Sequence, residues 1–190
     1  VNLEQLWAGW RSDYIVEATA RQRSDDGSDH DASACVFCRI AGSGEPSLEN
    51  LVVWKGTSTF VVLNAYPYAS GHLLILPLRH VGDLSALTEP ESAEIWTATR
   101  RAVSAIEAAY EPDGLNMGAN LGRAGGAGIP AHVHLHALPR WSGDTNFMTS
   151  IAGTRVMPET LQLAWKKLTG SWPEPEPTRE PPPTTATEQA

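Results

Sequence analysis

Three histidines alternate in the stretch AHVHLHALP, residues 131–139: His132, His134 and His136. Imidazole is the one side chain that can act near neutral pH as nucleophile, proton donor, proton acceptor or metal ligand. A period of two predicts a β-strand, with the three rings on one side and Val133, Leu135 and Ala137 turned to a core. A solvated face or an adventitious metal-binding tract is the plain alternative. No GxSxG motif and no nucleophile-elbow serine or cysteine occurs. A transfer reaction built here would therefore use histidine itself as nucleophile. The middle residue, His134, is flanked on both sides, so its neighbours can orient it. Phosphoryl and nucleotidyl transfers need mainly positioning and charge stabilisation, which calls for no catalytic cofactor.

Two further constellations carry chemistry. The glycine-rich run LGRAGGAGIP, residues 121–130, directly precedes the histidines. It lacks the GK[ST] ending of a P-loop, and a strand rather than a helix follows, which rejects both common nucleotide-loop folds. What remains is a nest of backbone N–H groups able to hold phosphate oxygens, or an ordinary surface loop. The second constellation is Cys35-Val-Phe-Cys38, the sequence's two cysteines. A redox pair needs a preceding strand, whereas a polar linker precedes this one. Half of a tetrahedral zinc site fits the spacing, with two ligands still to be found elsewhere.

The elements that must position these groups can be read from pattern. Residues 2–19 have an apolar stripe including Trp7 and Trp10, which predicts a helix packed on its own domain or used as a subunit contact. Residues 21–34 are polar and acidic and read as a linker, with His30 simply solvated. Strands are expected at 51–55 and 58–63, joined by a turn through Gly56, and at 73–77 and 115–120. Thr88 and Glu91 have capping-box spacing ahead of a helix running to Tyr110. A last helix is expected over 158–169, followed by a Pro-rich tail. The domain boundaries expected are 1–20, 21–34, 35–172 and 173–190. The class is α+β with segregated helices.

The composition narrows the partners. The 190 residues carry 14 Lys+Arg against 22 Asp+Glu, a formal net charge of −8. An acidic chain without a basic stripe speaks against nucleic acid as partner. No apolar run approaches a membrane span and no signal-peptide pattern opens the sequence, so no membrane partner and a cytoplasmic location are expected.

The motif His132-Val-His134-Leu-His136-Ala-Leu resembles the signature of the histidine-triad family of nucleotide hydrolases and transferases. The segment Asn64…Pro67…Gly71-His72…Pro77 is similar to that family's nucleoside-side segment, and Asn120 with the glycine-rich loop to its phosphate loop. The resemblance covers about 35–147. It implies a five-stranded antiparallel sheet with one long helix and terminal helices, assembled as a homodimer with a continuous sheet, or as a tetramer if the Trp7/Trp10 helix adds contacts. It implies catalytic roles for His134, the nucleophile, and His136, the outer histidine on the phosphate. It implies substrate-binding roles for Asn64, His72, Asn120, Gly126, Ala127 and Gly128, with His72 equally readable as a structural hydrogen-bonding residue. Where family members carry a Ser or Thr before the triad, this sequence has Gly128-Ile129, so backbone N–H groups must replace the hydroxyl. In some branches CxxC joins two histidines around zinc. The matching positions are Cys35, Cys38, His80 and His132, a closed structural set.

The segments Leu6-Trp7…Trp10-Arg11…Tyr14 and Pro139-Arg140-Trp141…Gly143-Asp144…Asn146-Phe147 look like those of actinobacterial diadenosine-tetraphosphate phosphorylases within this family. The expected function is nucleotidyl transfer from, or cleavage of, dinucleoside polyphosphates through a covalent nucleotidyl-histidine, with inorganic phosphate as acceptor in a phosphorylase or water in a hydrolase. The alternatives are a nucleoside phosphoramidase and a non-catalytic nucleotide-binding module.

Overall fold

The structure is a computed structural model, and it describes residues 32–144 and 157–174. The sequence-based readings over residues 1–31, Asn146, Phe147 and the tail beyond 174 lie outside the described residues. Among the described residues three α-helices and five strands run in the order α1 (Val36–Ala41), β1 (Val52–Lys55), β2 (Thr59–Leu63), β3 (Leu73–Pro77), α2 (Glu89–Tyr110), β4 (Gly114–Ala119), β5 (Leu135–Arg140) and α3 (Leu161–Gly170). The strands form one antiparallel sheet in the order β1-β2-β3-β5-β4.

Both faces of the central strands are buried, and the pleat sorts them. Val61, Leu63, Leu73 and Ile75 pack with Ile95, Ala98, Ala102, Ala105 and Ile106 of α2. The alanines let the long helix lie close on the sheet. On the opposite face Phe60, Val62, Leu74 and Leu76 pack with Cys35 and Phe37 of the α1 segment. The capping box forms as expected: Thr88 Oγ1 accepts from the Glu91 N–H at 3.4 Å, and the Thr88 N–H donates to Glu91 Oε2 at 2.8 Å.

Two local expectations are corrected. The helix α1 was not foreseen, because six residues behind a polar stretch are too few to show a helical period. The strand expected over the three-histidine motif is shorter than 131–139 and begins at Leu135. His132, in the bend that closes the glycine-rich loop, and His134 lie in the segment leading into the strand, which is pinned by the Val133 N–H donating to the Val81 carbonyl at 2.7 Å.

Candidate active site and metal cluster

Cys35 and Cys38 sit one helical turn apart at the start of α1, so both sulfurs face the same way. His80, just beyond β3, and His132 complete a group whose four ligand atoms all lie within 4.8 Å of one another. His132 Nδ1 is 3.5 Å from Cys35 Sγ and 3.6 Å from Cys38 Sγ, and His80 Nδ1 is 3.3 Å from Cys38 Sγ. In a tetrahedron with sulfur at about 2.3 Å and nitrogen at about 2.0–2.1 Å from zinc, a sulfur and a nitrogen ligand stand roughly 3.5 Å apart. The four residues fit such an ion. Nε2 of His132 lies 2.9 Å from the Pro77 carbonyl oxygen, which can only accept, so Nε2 carries the hydrogen and Nδ1 turns a lone pair to the cluster. Burial holds His132 below the usual histidine range and so in the neutral, ligating form. Burial, then the neighbouring Cys35, pushes the Cys38 thiol up to about 11, so a cation is what would deprotonate it. With four protein ligands the site has no open position for water.

His134 is oriented by the same residue. Its Nδ1 lies 2.8 Å from the His132 backbone oxygen, so Nδ1 donates and the lone pair is on Nε2. Phe37 packs against its ring, with centroids 5.2 Å apart, and meets the His132 ring edge-on at 5.6 Å. Phe37 was not singled out in the sequence. Its place between the two cysteines was the available signal, since their contacts with His80 and His132 aim α1 at the histidines.

A second chain of hydrogen bonds sets His136. The Tyr68 backbone N–H donates to His72 Nδ1 at 3.1 Å, and Asn64 Nδ2 lies 3.2 Å from the same nitrogen. A backbone amide can only donate, so His72 carries its hydrogen on Nε2. That nitrogen is 2.9 Å from His136 Nδ1, which must accept. Neutral His136 therefore has its own hydrogen on Nε2, a buried atom with no hydrogen-bond partner among the described residues. Burial, then the nearby His134, pulls His136 down to about 4, which keeps it neutral. The rings of His134 and His136 lie 5.1 Å apart, edge to face. The arrangement thus sets a nucleophilic lone pair beside an unspent N–H donor.

Five of the residues expected on the substrate side make hydrogen bonds within the protein. His72 is wholly buried, and both its ring nitrogens are engaged by protein, Nδ1 with the Tyr68 N–H and Nε2 with His136 Nδ1. In the glycine-rich loop, the Gly126 N–H donates to the Arg123 carbonyl and the Ala127 N–H to the Gly122 carbonyl, so neither is available as a phosphate donor without the loop changing. Asn120 Nδ2 donates to the Gly126 carbonyl at 3.4 Å and braces that loop. Asn64 holds the turn ahead of His72, its Oδ1 accepting the Tyr66 N–H at 3.0 Å. Behind the 64–72 loop, away from the histidines, an apolar cavity of about 200 Å³ lies between Pro67, Ser70, Gly71 and the start of α3.

A family model for the HIT domain matches residues 45–143, which spans the sheet, the long helix and the three alternating histidines. The chain belongs to the HIT family. Among curated HIT relatives, the AP-4-A phosphorylase of Mycobacterium tuberculosis is 38% identical over 170 residues, covering 90% of this chain and 85% of that protein. A solved Zn-bound histidine triad family protein from Mycobacterium smegmatis is 25% identical with a TM-score of 0.60, covering 75% of this chain and 95% of that one. A histidine triad nucleotide-binding protein from Sulfolobus tokodaii is 27% identical with a TM-score of 0.59, covering 72% of this chain and 91% of that one. The HIT fold these share is the five-stranded antiparallel sheet with its long helix. Among the described residues no helix is long and apolar enough to cross a membrane.

Proposed function

We propose that this HIT protein cleaves dinucleoside polyphosphates by passing a nucleotidyl group through His134. In the first step the Nε2 lone pair of His134 attacks the α-phosphorus, and the bond from phosphorus to the bridging oxygen breaks. The electron pair leaves with the polyphosphate product, and the positive charge on the modified ring is shared through Nδ1–H with the His132 carbonyl. His136 Nε2–H donates to the leaving oxygen or to a non-bridging phosphate oxygen. In the second step an acceptor oxygen attacks phosphorus, the P–N bond breaks, and its electron pair returns to Nε2. With diadenosine tetraphosphate and inorganic phosphate, the products are ATP and ADP.

One observation carries this reading: His134 Nε2 is a fixed lone pair 5.1 Å, ring to ring, from an unpartnered His136 N–H. The 38% identity to an AP-4-A phosphorylase over most of both chains supports dinucleoside polyphosphates as the substrate class. Asn64, Asn120 and the Gly128 N–H are the groups we assign to ribose and phosphate. Zinc is the ion we assign to Cys35, Cys38, His80 and His132, as scaffold; a Zn-bound HIT relative supports it. The β4 edge, exposed over residues 116–119, supports assembly as a homodimer through sheet extension.

The deciding experiment incubates the protein with diadenosine tetraphosphate, with and without inorganic phosphate, and with an adenylated lysine analogue. ADP formed only with phosphate is the expected result. AMP formed equally without phosphate would make the enzyme a hydrolase, and turnover of the P–N substrate alone would make it a phosphoramidase and end this reading.

A further inference from the structure

Tyr68 occupies a place that core packing does not explain. Tyr68 is 47% exposed, yet its ring covers the buried His72 and the half-buried His136. It stacks on His136 with centroids 5.8 Å apart and planes 15° apart, and it tilts over His72 at 4.7 Å and 44°. The same residue supplies the backbone N–H that fixes the His72 tautomer at 3.1 Å. Main chain and side chain of one residue therefore converge on the same hydrogen-bonded pair. Tyr68 follows Pro67, whose ring fixes its own φ and so helps present the next N–H in one direction.

We propose that Tyr68 is a positioning residue: its ring roofs the His72–His136 pair against water and holds His136 as a single neutral tautomer with its Nε2–H aimed into the active site. This inference rests on the reaction proposed above for what that N–H does, but not for where the proton sits. Besides Tyr68, the titratable groups facing His136 are His72, which donates to it, and His134, 5.1 Å away edge to face. The backbone N–H of residue 68 survives a side-chain change, so the ring can be tested alone. Without it, water reaches the imidazole pair, can hydrogen-bond either nitrogen, and stabilises the protonated ring.

The test uses the full chain labelled with ¹⁵N-histidine, as wild type, Tyr68→Phe and Tyr68→Leu. Nitrogen chemical shifts report the tautomer and titration of each histidine, and thermal melting reports folding. In the wild type and Tyr68→Phe, His136 is expected to carry its proton on Nε2 only and to stay neutral at about pH 6. In Tyr68→Leu a second tautomer appears and the His136 midpoint rises. With diadenosine tetraphosphate, kcat falls roughly tenfold in Tyr68→Leu while KM moves less than about threefold, the loss of one stacked contact felt mainly in the transition state. Wild-type tautomers in Tyr68→Leu overturn the inference, whether kcat is kept or is lost together with melting temperature. If the wild type does not cleave diadenosine tetraphosphate, the proposed reaction falls, and the nitrogen shifts alone still decide the role of Tyr68.

Discussion

The backbone carbonyl of His132 accepts a hydrogen bond from Nδ1 of His134 at 2.8 Å. The His132 ring meanwhile turns Nδ1 to Cys35 and Cys38. One residue therefore links the metal cluster to the candidate nucleophile, through its side chain on one side and its main chain on the other.

Removing the nucleophile separates an enzyme from a binding module. His134→Ala should lower turnover of diadenosine tetraphosphate by several orders of magnitude while nucleotide affinity stays within a few fold. Single-turnover kinetics and equilibrium binding measure the two terms. Unchanged turnover would mean that another group attacks phosphorus.

The metal cluster should be needed for folding. Metal analysis of the full chain is expected to give one zinc per chain, and Cys35→Ser should lose it and lower the melting temperature by many degrees, because ion binding and folding are coupled. A chain that carries no zinc under non-chelating conditions and melts normally would remove zinc from the assignment.

Gly71 is fixed by two constraints. Its φ is +74°, and a Cβ there would meet Tyr110 Cε2 at 2.5 Å. The Tyr110 ring cannot swing away freely, since its hydroxyl donates to Glu159 at 2.6 Å. Gly71→Ala should cost at least about 1–2 kcal/mol from the left-handed backbone alone, read by urea unfolding. It should also lower activity by displacing the adjoining His72. Wild-type stability would show that the 64–72 loop relaxes.

Two groups give the folded state opposite ends of an acid profile. His136 is held at about 4, below the ordinary 6.5. The unfolded chain then binds a proton that the folded chain does not, so stability is complete above about 6.5 and declines as pH falls toward 4. His136→Asn should flatten that stretch of the stability curve. Glu91 is held at about 2, first by the Arg79 guanidinium and then by the Thr88 N–H. Its contribution is present above 4.5 and fades as pH falls toward 2. Arg79 is about half exposed, so solvent screens the ion pair and reduces what it contributes to stability. Thr88→Ala, which removes the Oγ1 that accepts the Glu91 N–H, should cost about 1 kcal/mol at neutral pH, and Glu91→Gln should remove the acid-limb slope, both checked by denaturant titration across pH.

The sequence by itself determined the strands, the long helix and its cap, because short apolar runs of Val, Leu and Ile bounded by turn residues and the Thr88/Glu91 spacing are local signals, while the five-stranded sheet was implied by the resemblance. It also determined that Cys35, Cys38, His80 and His132 could share one ion, by resemblance rather than by distance, and that three histidines alternate. Only the tertiary structure decided where each histidine carries its proton. His132, His134, His136 and His72 are chemically the same group, and their protons are placed by acceptors and donors far away in the chain: the Pro77 carbonyl, the His132 carbonyl and the Tyr68 N–H. The same holds for the glycine-rich loop, where two amides expected to face phosphate close the loop's own turns instead. Composition and spacing fix which groups can reach a site. The direction of a hydrogen bond depends on the partner that folding brings to it, and that partner has no signature in the local sequence.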